Sequence, residues 1–106
     1  MSVIEEIIER FNMRYVHAAE EIGGIITALS GDKDLQSNVQ NSSPSAYEAA
    51  VAERLSSHIM DGLFEGTMSG DTEKAEFYTE LSENTSALLQ IRNYIIRKIK
   101  DFLLAS

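Results

Sequence analysis

Apolar residues recur through the first 29 positions at alternating steps of four and three. This is the spacing of a coiled-coil seam, a narrow stripe along a helix that faces another helix. Ser2 and Glu5 form a capping box before the stripe, and Gly31 suits a left-handed residue after it. The pattern predicts a first helix over about residues 2–29. Its seam residues are Ile4, Ile8, Phe11, Tyr15, Ala18, Ile22, Ile25 and Leu29.

A second stripe of the same kind occupies the last third of the chain. Leu89, Ile91, Ile96 and Leu103 widen its apolar arc, so the helix that carries it must contact more than one neighbour. The pattern predicts a helix over about residues 72–104. Its seam residues are Tyr78, Leu81, Thr85, Leu88, Arg92, Ile95, Ile99 and Phe102.

Arg92 is the one charged residue inside that second seam. Burying an unpaired guanidinium costs free energy, so we expect its head group to reach either water or a carboxylate. Glu21 and Glu53 are the candidate carboxylates. A polar residue at a seam position can also fix the register or the number of associating helices, at a cost in stability.

The middle of the chain predicts one more helix between two irregular segments. Residues 30–45 are polar and rich in turn formers, which is typical of a loop. Serine caps and Pro44 favour a helix start within residues 43–45, and the middle helix is predicted over about residues 45–64. The glycine-rich residues 65–71 predict a turn.

Together these elements predict an all-α protein with a single domain over residues 1–106. The expected architecture is an antiparallel bundle of about three helices, with coiled-coil-like seams on the first and last helices. The spacing leaves open whether the seams are covered within one chain or between chains.

The net charge of −8 is unevenly distributed along the chain. Residues 1–91 carry 5 basic and 16 acidic side chains, whereas residues 92–106 carry 4 basic and 1 acidic. An acidic body argues against nucleic-acid binding, which requires a basic surface. The basic tail permits head-to-tail or intramolecular pairing with the acidic body. It is also typical of a solvated face that complements the dipole at a helix C-terminus.

Other sequence features indicate the cellular compartment in which the protein resides. The chain has no cysteine, so it can form neither a disulfide nor a thiolate metal site. The N-terminus lacks the basic start and the apolar core of a signal peptide, and no apolar run approaches membrane-spanning length. We therefore expect a cytoplasmic protein with no membrane span.

Residues with catalytic or metal-binding chemistry are few. His58 lies at the edge of the middle apolar stripe and His17 lies opposite the first seam, with no third ligand at metal spacing. Acidic pairs four residues apart, such as Glu76 and Glu80, are typical of a solvated helix surface. We predict no catalytic, cofactor-binding or metal-binding residue and do not expect an enzyme.

The C-terminal third resembles the C-terminal half of type III secretion needle and inner-rod subunits. Residues 69–103 share with them a turn containing serine and aspartate, an aromatic residue such as Phe77, a Leu81–Glu83 step and a basic-apolar ending at Lys100–Asp101. Met68 and Gly70 stand where the needle turn has prolines, and the first predicted helix has no needle counterpart.

Residues 88–106 are also similar to the terminal helix of the flagellar basal-body rod adaptor, through Gln90–Asn93. These resemblances imply a structural subunit that assembles with copies of itself. They also imply export by a route that does not need a signal peptide.

Three functional hypotheses result. The first is a structural or interaction protein that acts by helix-mediated self-assembly or partner binding, with a homo-oligomer expected. The second is an acidic adaptor, chaperone or inhibitor of phage or plasmid type that binds a protein partner. The third, an enzyme, has the least support. The predicted interaction residues lie on the last helix: Arg92, Ile95, Ile96, Arg97, Lys98, Ile99, Lys100, Phe102 and Leu103.

Overall fold

The structure is a computed structural model that describes residues 2–41 and 43–105. Within these ranges it is all-helical, without strands, so the all-α prediction is confirmed. The prediction of about three helices is wrong, because the described residues form six. The helices are α1 (Val3–Arg10), α2 (Ala18–Ser30), α3 (Lys33–Asn41), α4 (Pro44–Ser69), α5 (Thr72–Glu83) and α6 (Thr85–Ala105).

The predicted first helix is divided into α1 and α2. Phe11 ends α1, and its backbone N–H bonds to the carbonyls of Ile7 and Glu9. Asn12 follows with a φ of 54°, a left-handed conformation that asparagine tolerates better than most residues. The helix cannot continue through this residue. Met13, which is outside the predicted seam, is buried where the chain turns towards α2.

The predicted last helix is divided in the same way. α5 ends at Asn84, whose backbone is extended, with φ −93° and ψ 93°. The Asn84 Oδ1 accepts a hydrogen bond from the Ala87 N–H at 3.1 Å. Asparagine favours such caps over helix interiors because its side chain competes for backbone groups. One residue therefore ends α5 and starts α6.

The predicted loop over residues 30–45 contains helix α3. Asp32 caps it, because its Oδ1 accepts hydrogen bonds from the N–H groups of Asp34 and Leu35 at 2.9 and 3.1 Å. Leu35 is fully buried. The Arg54 Nε of α4 donates to the Asp32 Oδ2 at 2.7 Å, and this hydrogen bond lowers the pKa of Asp32. One cap, one buried leucine and one ion pair thus hold a polar segment in helical form.

Helix α4 extends to Ser69, beyond the predicted end at residue 64, and packs antiparallel to α5. Gly62 and Gly66 both lie inside α4, although Gly66 falls within the predicted turn. A Cβ on Gly66 would lie 2.7 Å from the Ala75 backbone nitrogen, and one on Gly62 would overlap the Tyr78 ring. The two glycines therefore let α4 and α5 approach backbone to backbone. Gly70, with a φ of 76°, ends α4.

The core lies where α1, α2, α4, α5 and α6 converge. Along α6 the buried residues recur every four positions rather than in the predicted heptad. Tyr47 of α4 donates from its hydroxyl to the Ile96 carbonyl at 2.9 Å, and burial raises the pKa of Tyr47 to about 12. The most buried large side chains are Ile22, Leu35, Val51, Leu55, Leu81, Ile91, Ile95 and Ile99. No helix in the described ranges has both the length and the apolar character needed to cross a membrane.

Candidate interaction surface

The predicted interaction residues of α6 do not share one surface. Ile95 and Ile99 are fully buried in the core of the same chain, so they cannot contact a partner without unfolding. Arg92, Ile96 and Leu103 are half-buried. The exposed members are Arg97, Lys98, Lys100 and Phe102. Sequence periodicity identified the helix but not which of its faces is free.

Of the two environments expected for the Arg92 head group, water or a carboxylate, the described residues do not provide the carboxylate. Its Nε is buried and makes no hydrogen bond, and no ion pair between described residues includes it. Glu21 instead accepts a hydrogen bond from the Tyr78 hydroxyl at 2.8 Å and lies 3.6 Å from the Lys74 Nζ. Glu53 is exposed on α4. The buried N–H of Arg92 therefore has a desolvation cost that no hydrogen bond offsets.

Replacing Arg92 with leucine should raise the free energy of unfolding by about 1 kcal/mol, because the unpaired buried N–H is replaced by apolar atoms. Urea denaturation followed by circular dichroism measures the change. Arg97→Leu, at an exposed position of the same helix, should change stability by less than about 0.5 kcal/mol. A clear loss of stability in Arg92→Leu alone would mean that the guanidinium makes a stabilising contact.

Tyr78 joins three helices through a polar cluster beside the core. Its ring packs on the Phe77 ring with centroids 5.1 Å apart, and Phe77 packs on Tyr15 at 5.3 Å. Burial, together with the nearby Glu21 carboxylate, raises the pKa of Tyr78. Lys74 pairs with Glu21 of α2 and, at 3.2 Å, with Glu65 of α4. Through these contacts the cluster joins α5 to both α2 and α4.

Three of the large exposed apolar side chains form a row on α4, and three more lie on α6. Met60, Phe64 and Met68 are 70%, 65% and 71% exposed and recur every four residues, so they form one line along the helix. We call these three residues the α4 stripe. Val51 and Ile59 mark the buried face of α4, and the stripe lies on the opposite side. Sequence analysis overlooked the stripe, although large apolar residues four apart outside a buried row are its signal.

One edge of the α4 stripe is acidic. Asp61 and Glu65 each follow a stripe residue by one position and are exposed. The sequence contains no lysine or arginine between Arg54 and Lys74. Of the two carboxylates, Glu65 pairs with Lys74, and no ion pair between described residues includes Asp61. The stripe therefore presents apolar side chains beside unneutralised negative charge.

The outer face of α6 has the opposite charge. Arg97 and Lys100 are exposed three residues apart, so they lie on one side of the helix. Leu89 and Leu104, 45% and 62% exposed, extend this side in both directions. We call these four residues the α6 basic face. It lies opposite the buried row that contains Ile91 and Ile95.

An open groove of about 740 Å³ lies between α2, α3 and α6. The Gln36 Nε2 donates to the Ser30 carbonyl at 3.2 Å on its wall, and the Lys98 Nζ lies 5.6 Å from the centroid of the Tyr94 ring. Among the described residues that line it, Lys98 is the one charged side chain. The lining residues are Ile26, Thr27, Ser30, Gly31, Gln36, Tyr94, Lys98 and Phe102.

The two histidines lie apart from one another. His17 is exposed before α2, with its Nδ1 3.3 Å from the Glu20 Oε2, and His58 is half-buried on α4. In the part of the chain that the structure describes, no three histidine or acidic side chains are placed to share a metal ion.

Comparison of the chain with models of protein families, with curated proteins and with solved structures found no match. Fold and surface together define a class: a small all-helical protein whose core is covered within one chain, with two amphipathic outer faces of opposite charge.

Proposed function

We propose that this protein acts without catalysis, by helix-mediated self-assembly through the α4 stripe. The observation that carries the proposal is the exposure of Met60, Phe64 and Met68 in one line on a helix whose other face is buried. Solvated apolar side chains in a row are costly to leave in water, and contiguous exposed apolar surface is typical of protein-binding sites. A helix face of this kind binds an amphipathic helix through residues spaced three and four apart.

The more specific version of this proposal is that the protein is a structural subunit of a secretion apparatus. The resemblance of residues 69–103 to needle and inner-rod subunits supports it, since those proteins function as assembled copies. In this form the subunits would join through the outer α4 stripe rather than through the seams, whose buried members lie in the core of one chain, and the chain would leave the cytoplasm without a signal peptide.

An acidic adaptor, chaperone or inhibitor is the second candidate. The acidic edge of the α4 stripe favours it, because Asp61 and Glu65 would attract a basic helix of a different protein. The two candidates use the same stripe and differ in what covers it.

Sedimentation velocity over a wide range of protein concentration tests the proposal. The wild-type chain should form larger species as concentration rises. Phe64→Ser should weaken this association about tenfold, since a buried phenylalanine contributes about 1.5–3 kcal/mol and 1.4 kcal/mol is a factor of ten. Phe64 is largely exposed, so the variant should keep the wild-type helical content.

The matched control is Val16→Ser, at an apolar residue that is 80% exposed and lies outside the α4 stripe. It should associate as the wild type does. A wild-type chain that stays monomeric throughout would contradict self-assembly and favour the adaptor. Equal association of wild type and Phe64→Ser would show that the α4 stripe is not the contact.

A further inference from the structure

We infer that the occupant of the α4 stripe is the α6 basic face of a second copy of this chain, so that copies join head to tail. This inference rests on the proposed self-assembly and specifies its geometry. The two surfaces are complementary in both respects that matter for docking: each carries exposed apolar side chains, and the charges beside them have opposite sign.

The dimensions of the two faces agree. At a rise of about 1.5 Å per residue, the carboxylates of Asp61 and Glu65 are separated by about 6 Å along α4. By the same rise, Arg97 and Lys100 are separated by about 4.5 Å along α6. Both basic side chains are long and flexible, so one can reach the carboxylate of Asp61, which is unpaired among the described residues, while Leu104 contacts the stripe. The other can reach Glu65, whose cationic partner, Lys74, is shared with Glu21.

The two faces of one molecule cannot satisfy each other. The α4 stripe lies opposite the buried face of α4, and the α6 basic face lies opposite the buried face of α6. Both buried faces contribute to the same core, so the outer faces point away from it. A stripe can therefore be covered by a basic face only if that face belongs to another copy.

Antiparallel two-fold pairing of two stripes is disfavoured by charge. In an antiparallel two-fold pair, the acidic edge of each α4 would lie against the acidic edge of the other, which places Asp61 and Glu65 among like charges. Pairing a stripe with a basic face removes that repulsion. The resulting contact is heterologous, so each added copy leaves a free stripe at one end and a free basic face at the other.

Two blocked variants and their mixture test the inference. Arg97→Glu/Lys100→Glu reverses the basic face and leaves the stripe intact, whereas Asp61→Ser/Phe64→Ser alters the stripe and leaves the basic face intact. All four positions are exposed, so both variants should fold. In sedimentation velocity at low salt, we expect each variant alone to stay monomeric at concentrations where the wild type associates. An equimolar mixture should form a 1:1 dimer that does not grow.

The matched control is Arg14→Glu/Lys33→Glu, which changes the net charge by the same amount at two exposed positions outside the α6 basic face. It should associate as the wild type does, and wild-type association should weaken as salt is added. Loss of association in this control would overturn the inference, because net charge alone would then explain the loss.

Two other outcomes would overturn the inference and are distinguishable from each other. If the wild type associates and Arg97→Glu/Lys100→Glu still does so alone, the basic face is not the occupant, and self-assembly through the stripe stands. If the wild type is monomeric at every concentration, self-assembly and its head-to-tail geometry both fail.

Discussion

Ile22→Asp should abolish cooperative folding at room temperature. Ile22 is fully buried in the middle of α2, between Ala18 and Ile25, which are also buried. A carboxylate placed there either stays charged without a partner or takes up a proton, and both outcomes cost several kcal/mol. A domain of this size has a total stability of about 5–15 kcal/mol. Far-UV circular dichroism should show a large loss of helix, without a sharp thermal transition.

Ala19→Asp is the matched control for that change. Ala19 is exposed in the first turn of the same helix, where a negative charge interacts favourably with the helix dipole. This variant should melt at or slightly above the wild-type temperature. A cooperative melt of Ile22→Asp close to that of the wild type would contradict the burial of Ile22.

The starts of α1, α4 and α5 were predictable because they depend on the local chemistry of capping side chains, whereas the starts of α2, α3 and α6 were not predicted. Ser2 and Ser43 accept hydrogen bonds from N–H groups three residues later, as their sequence positions predict. Asp71 does the same for Lys74 at the start of α5. Gly31 follows α2 as expected but with a φ of −87°, so it does not adopt the predicted left-handed conformation.

The breaks within the two long predicted helices could not be predicted from apolar spacing. Such spacing indicates which residues face the core, and residues on either side of a break can still face it. Ile4 and Ile22 are both buried, although Asn12 separates their helices. Asn84 similarly separates Leu81 of α5 from Ala87 of α6, and both are buried. Each break occurs at a single asparagine, and a pattern of apolar residues contains no information about that residue.

The candidate surface was only partly predictable for a related reason. The charge reversal towards the C-terminus is visible in the sequence and correctly located exposed basic residues such as Arg97 and Lys100. The α4 stripe was missed, because spacing alone does not show which of two apolar rows on a helix is covered. Gly66 was assigned to a turn, since the neighbour that needs its small size becomes visible only in three dimensions.

That close approach leads to a second large effect, at Gly66. Gly66→Ala should lower the free energy of unfolding by about 1 kcal/mol, because an overpacking cost of about 2 kcal/mol exceeds the gain of about 1 kcal/mol in helix propensity. A Cβ at this position would lie 2.7 Å from the Ala75 backbone nitrogen and 3.1 Å from its Cα. Backbone atoms of α5 cannot rotate away as a side chain can, so the two helices must separate. Overpacking of this kind costs about 1–3 kcal/mol, more than the roughly 1 kcal/mol that alanine gains over glycine in helix propensity.

Gly24→Ala is the same type of substitution, but it should change the free energy of unfolding in the opposite direction. Gly24 lies inside α2 with no atom within 4 Å of the position that its Cβ would occupy. Alanine there should raise the free energy of unfolding by about 1 kcal/mol through helix propensity alone. Thermal melts should therefore move in opposite directions, each by several degrees, since about 1 kcal/mol shifts the melting temperature of a domain this size by about 4–8 °C. If both variants melt higher than the wild type, α4 and α5 are not in backbone contact at Gly66.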